Sequence, residues 1–105
     1  MVIVETHLFT RRITELLTDE GLRHLQIALV LRPEQGVLVR GGHGLRKLRW
    51  SLPGRGKRGA LRILYYWDKP EERLYMLYVL EKTRHADLTT MQVKELGRVI
   101  REELT

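Results

Sequence analysis

The sequence predicts an α+β fold: a small antiparallel sheet of about four strands, an N-terminal helical hairpin and a C-terminal helix, in the order β-α-α-β-β-β-α. Three observations predict it. A chain of 105 residues without cysteine has neither disulfides nor the length for two cores, so residues 1–105 are expected to form a single domain around one core. Three aliphatic and aromatic runs follow one another in the middle of the chain, separated only by short Gly/Pro or charged breaks. The flanking segments instead place apolar residues at helical spacing behind capping residues.

In chain order, Val2 to Glu5 is a short β-branched run that reads as a strand. Thr6 is a cap for a helix to about Leu17, with Leu8, Ile13, Leu16 and Leu17 near one face. A second helix follows Asp19, with Leu22, Leu25, Ala28 and Leu29 at helical spacing, and Pro33 and Gly36 close it. Leu45 to Trp50, Ala60 to Trp67 and Leu74 to Leu80 are the three strands of an antiparallel meander. Thr89 and Gln92 form a capping box, and Leu88 and Val93 sit at the positions of a hydrophobic staple. The helix that follows, from about Thr90 to Glu103, carries an apolar stripe of Val93, Leu96, Ile100 and Leu104 that must dock on its own sheet or on a partner. Helices against one face of a sheet are the expected layering.

The charge distribution narrows the function. The chain has 19 Lys and Arg against 13 Asp and Glu. From Gln35 to Trp67 there is no acid, while Arg40, Arg46, Lys47, Arg49, Arg55, Lys57, Arg58 and Arg62 supply eight positive charges. The remaining residues carry eleven basic and thirteen acidic side chains, so the whole surplus lies in one third of the chain. Such a concentration is the footprint of a polyanion partner, most often nucleic acid; a solvated basic face and an acidic protein partner are the alternatives. The longest apolar runs, Tyr75 to Leu80 and Ile63 to Trp67, are far below the roughly 18 residues of a membrane span, and no basic-then-apolar signal segment opens the chain. A soluble, cytoplasmic protein without membrane association is expected; the lack of cysteine suits a reducing compartment.

Strand alternation turns Lys47 and Arg49 to one face and Arg46, Leu48 and Trp50 to the other. Two cations roughly 7 Å apart on one strand approximate the spacing of successive phosphates. Arg62 is the only charged residue between Ala60 and Trp67, and a lone Arg among Leu61, Ile63, Leu64 and Tyr65 is costly unless it meets water or an anion. Either register brings it beside Lys47 and Arg49, or it pairs with a carboxylate of the C-terminal segment such as Asp87. Gly54 to Gly59 formally matches G-x-G-x-x-G, but it joins two strands and no Ser or Thr follows the lysine, which excludes a phosphate-cradling helix entry. A basic hairpin loop astride a nucleic-acid backbone, with Arg55, Lys57 and Arg58, and an ordinary Gly-rich turn are the two readings left.

No pair of His or carboxylates shows metal-ligand spacing within the basic region, and Ser51, the only serine, has no nucleophile-elbow context. What remains is RNA chemistry without a metal or other cofactor: the substrate 2′-hydroxyl attacks, and the protein supplies proton transfer and cations around a phosphorane-like transition state. Crowding by Arg49 and Arg62 would oppose the charge of Lys47 and move it toward a general base. Lys82 and Arg84 would complete the cationic floor; His85 is either a proton donor to the leaving 5′-oxygen or a surface residue before the helix. Asp87 would help order the entry to that helix. Tyr65, Tyr66, Trp67, Tyr75 and Tyr78 are stacking platforms or, at this strand density, core.

Gly44-Leu45-Arg46-Lys47-Leu48-Arg49, Gly56 to Tyr66 (GKRGALRILYY), Tyr78 to Lys82 (YVLEK) and Asp87-Leu88-Thr89 together resemble the RelE/HigB family of bacterial toxins, in its HigB-like branch. The resemblance spans nearly the whole chain in order. It implies a RelE-like sheet flanked by helices, and a toxin of a type II toxin–antitoxin system that inhibits translation by ribosome-dependent, metal-free cleavage of mRNA in the A site. It also implies mRNA and the ribosome as partners, and a cognate antitoxin, in this branch commonly a helix-turn-helix protein, with a monomeric toxin that joins the antitoxin in a hetero-oligomer. By position, Lys47 and Arg49 match the cations that activate the 2′-hydroxyl and hold the phosphate, Arg62 the phosphate-stabilising arginine of the next strand, and Lys82 a basic position after the last one. Where RelE has an arginine this chain has Thr83, and where RelE has a catalytic tyrosine it has Thr89; Arg84 and His85 are the available substitutes. The competing functions are a ParE-like gyrase poison and a non-catalytic RNA- or DNA-binding module.

Overall fold

A computed structural model describes residues 1–52, 60–81 and 87–105. Strand β1 (Val2–Glu5) leads into helices α1 (His7–Leu16) and α2 (Asp19–Leu31). Strands β2 (Val37–Leu38), β3 (Leu45–Trp50), β4 (Leu61–Asp68) and β5 (Arg73–Glu81) follow, then helix α3 (Thr90–Val99), which widens into a π-helical end over Ile100–Leu104.

The sheet order is β1-β5-β4-β3-β2. The meander β3–β4–β5 is antiparallel, as expected from its short links. Two features depart from the expectation. Val37–Leu38 pairs antiparallel with Lys47 and Arg46, which makes a fifth strand too short to announce itself by alternation. Strand β1 runs parallel to β5, because α1 and α2 carry the chain away before it returns.

Thr6 secures this parallel edge. Its N–H donates to Met76 O at 3.0 Å and its hydroxyl to Leu77 O at 2.8 Å, while the same hydroxyl oxygen accepts from Phe9 N–H and caps α1. Phe9 and Ile13 form the inward stripe of α1; Leu8, expected near that stripe, is exposed, because five residues before Ile13 it lies about 140° round the helix from it. Leu25 and Leu29 are the buried stripe of α2, as spacing predicts.

Two clusters fill the two sides of the sheet. Phe9, Ile13, Leu25 and Leu29 pack with Leu48, Leu61, Ile63, Tyr65, Met76 and Val79 on one side. Ile100, with Leu96 and Leu104, packs on Leu45, Leu64 and Leu77 on the other. The apolar stripe of α3 therefore docks on its own sheet, and the expectation of all helices on one face is corrected: β4 alternates apolar residues on both sides, Ile63 and Tyr65 inward to the hairpin and Leu64 to α3, so both faces need cover. None of the helices among the described residues is long and apolar enough to cross a membrane.

Candidate nucleic-acid interface

The α3 face of the sheet is organised in cross-strand rows. Leu45, Tyr66 and Tyr75 form one row; Lys47, Leu64 and Tyr78 the next; Arg49, Arg62 and Leu80 the third. Apolar side chains of α3 cover the first two rows through Leu45, Leu64 and the partly buried Tyr66, Tyr75 and Tyr78, with Tyr66 and Tyr75 stacked at 6.2 Å between ring centroids. The third row lies toward the end of the sheet where β3 and β5 finish and β4 begins.

Lys47, Arg49 and Arg62 thus share one face. Lys47 and Arg49 are there because they stand two residues apart on β3, and Arg62 because the antiparallel register places it directly opposite Arg49. Arg49 is exposed; Arg62 is half-buried, between Arg49 and Leu80. Its Nη1 is buried and has no hydrogen-bond partner among the described residues. An unsatisfied buried donor costs about 1–3 kcal/mol, more when charged, so this guanidinium is set up to receive an anion.

Among the described residues, Asp87 is the acid that pairs on this face. It lies 3.4 and 3.5 Å, through its two oxygens, from Lys47 Nζ, and it accepts the backbone N–H of Leu88 at 2.7 Å. That backbone hydrogen bond foremost, with the charges of Lys47 and Arg62, holds the carboxyl below the usual Asp range against a desolvation that opposes it. The carboxylate expected as a possible partner of Arg62 is therefore paired with Lys47 instead. Asp87 also stands immediately before Leu88 and the capping box of Thr89 and Gln92, which forms as the spacing predicts.

Arg46 is not brought to this site. It points to the opposite side, where its Nη1 donates to Glu34 O at 2.9 Å and Gly36 O at 2.8 Å. Beside it Tyr65, its register partner, is wholly buried; its hydroxyl donates to Pro33 O at 2.6 Å and accepts from Gly36 N–H at 2.9 Å. Burial raises the Tyr65 hydroxyl above its ordinary pKa. These two side chains tie the link between α2 and β2, and Tyr65 is core rather than a stacking platform. Arg55, Lys57, Arg58, Lys82, Arg84 and His85 lie outside the described residues.

The arrangement offers an anion three cations over one face, one of them with a buried donor unpaired among the described residues, beside the apolar Leu80 and Leu64. Sequence reasoning gave Asp87 a part in the helix entry but missed its contact with Lys47, 40 positions away, which only the tertiary fold creates.

Comparison with known proteins bears on the fold. The sequence matches no protein-family model. The structure is similar to a chain of the intact Escherichia coli RelBE toxin–antitoxin complex, with a TM-score of 0.58 and 16% sequence identity, over 79% of this chain and 98% of that one. The fold is RelE-like: an α+β arrangement of a small sheet, an N-terminal helical hairpin and a C-terminal helix.

Proposed function

We propose that this protein is the toxin of a type II toxin–antitoxin system of the HigB-like branch, a ribosome-dependent mRNA endonuclease that cleaves message in the A site. The observation that carries the reading is the convergence of Lys47, Arg49 and Arg62 on one face of a RelE-like sheet, with an Arg62 nitrogen that is buried and unpartnered among the described residues. The acid-free basic segment that supplies these three adds the field that attracts RNA.

The proposed chemistry is attack by the substrate 2′-hydroxyl on its own phosphodiester. Lys47, acting as the neutral amine, takes the proton of the substrate 2′-hydroxyl, whose oxygen bonds to the adjacent phosphorus. Arg49 and Arg62 neutralise the non-bridging oxygens as negative charge builds in the phosphorane-like state. The bond from phosphorus to the 5′-oxygen breaks, that oxygen takes a proton from a general acid, and the upstream fragment keeps a 2′,3′-cyclic phosphate. Arg84 and His85 are the proposed sources of that proton, with Lys82 adding positive charge. Arg55, Lys57 and Arg58 are proposed to hold RNA of the message or the ribosome. The proposed protein partner is a cognate antitoxin of helix-turn-helix type.

Primer extension on translated mRNA tests the reading. The wild-type protein is expected to produce discrete breaks within codons, and Lys47→Ala and Arg62→Ala are expected to abolish them while remaining folded. Intact message from a folded wild-type protein, or inhibition of gyrase supercoiling with message left whole, would overturn it.

A further inference from the structure

We propose that Asp87 is a built-in competitor for RNA, a fixed carboxylate that occupies Lys47 until a phosphodiester displaces it. The inference rests on the cationic face being the RNA site proposed above. The acid-free stretch from Gln35 to Trp67 leaves Lys47, Arg49 and Arg62 without a local counter-charge, and Asp87, just before α3, supplies one.

The geometry is that of a partner made to be exchanged. Both carboxylate oxygens stand 3.4–3.5 Å from Nζ, without one short, well-aligned bond, and the Asp87 side chain is 66% exposed. The carboxylate itself is anchored: Leu88 N–H holds it at 2.7 Å, and the residues behind it enter a helix tied by its capping box and by buried Ile100. Lys47 is therefore the member that moves, on a flexible four-carbon stem. Arg62 also attracts the carboxylate, and its buried Nη1 has no partner among the described residues. An incoming phosphate satisfies Arg49 and Arg62 at once, but gains Lys47 only by taking it from Asp87 and by lying next to a negative charge. Asp87 thus lowers affinity for RNA and leaves a competition that a correctly seated phosphate wins.

Fluorescence anisotropy with a short 2′-O-methyl RNA, which the protein cannot cleave, reads this competition apart from cleavage. Asp87→Asn keeps an oxygen for Leu88 N–H and removes the charge. It is expected to bind about two- to five-fold tighter than wild type, the worth of one partly exposed charge pair, and to steepen the salt dependence by about one ion. In a Lys47→Ala background the same substitution is expected to bring little gain. Unchanged or weaker binding by a folded Asp87→Asn protein, or an equal gain without Lys47, overturns the proposal. If Lys47→Ala and Arg62→Ala themselves leave affinity unchanged, the fault lies in the RNA site rather than in the role of Asp87.

Discussion

Arg49 and Arg62 face each other directly across the antiparallel pair of β3 and β4. Like charges so placed disfavour the sheet by about 0.2–1 kcal/mol, and Arg62 adds a buried nitrogen without a partner among the described residues. An anion bridging the two turns both penalties into binding energy. Arg62→Met, which keeps the apolar stem, should therefore raise stability in urea denaturation by about 0.2–1 kcal/mol while weakening RNA binding. A destabilised Arg62→Met protein would mean that Arg62 is there to hold the sheet.

The link between α2 and β2 hangs on Tyr65. Tyr65→Phe removes the bonds to Pro33 O and Gly36 N–H and leaves both backbone groups short of a partner, which should cost about 1–3 kcal/mol. Gly36→Ala should also destabilise, since a Cβ there would stand 2.7 Å from the Tyr65 ring, in a core that cannot yield. Both losses are expected in urea midpoints, with RNA affinity of the folded fraction unaltered.

Helix α3 positions Asp87 and covers the apolar rows beside the cations. Thr89→Ala removes one half of the capping box and should cost about 0.5–2 kcal/mol. Gly97→Ala places a Cβ 3.0 Å from His43 and 3.2 Å from Gly41 O, so it should lift the helix from the turn before β3 and destabilise as well, against the usual gain from Ala in a helix. Amide exchange in α3 and β3 is the readout; a stabilised Gly97→Ala protein would contradict the close packing.

The lowered carboxyl of Asp87 makes stability depend on acid. The sign is that of a depressed folded-state pKa: its contribution is complete above the ordinary Asp value of 3.8 and fades as pH falls through the lower folded value. Exposure of the side chain keeps the effect small. Between neutral pH and that acid range, wild type should lose slightly more stability than Asp87→Asn; parallel urea midpoints across the range would contradict it.

Much of this was legible in the residues. Alternation alone put Lys47 and Arg49 on one face and Arg46 on the other, since every position along a strand reverses. The caps at Thr6 and Thr89 were equally visible, because a hydroxyl or amide three residues from its donor is a local fact. Arg62 opposite Arg49 was not, since the register of β3 against β4 is a pairing between distant residues rather than a local property. Nor could the side of α3 be read: its apolar stripe is equally consistent with either face until the hairpin of α1 and α2 has taken one of them. The Lys47–Asp87 contact belongs with these non-local features.

The central claim is that the cations of β3 and β4 grip one phosphate together, and a double-mutant cycle of RNA affinity over Arg49→Ala and Arg62→Ala tests it most directly. Coupled residues are expected to give a double variant that loses clearly less than the two single losses combined, with an interaction of at least about 0.5 kcal/mol. Losses that simply add, or no loss from either, would contradict a shared site.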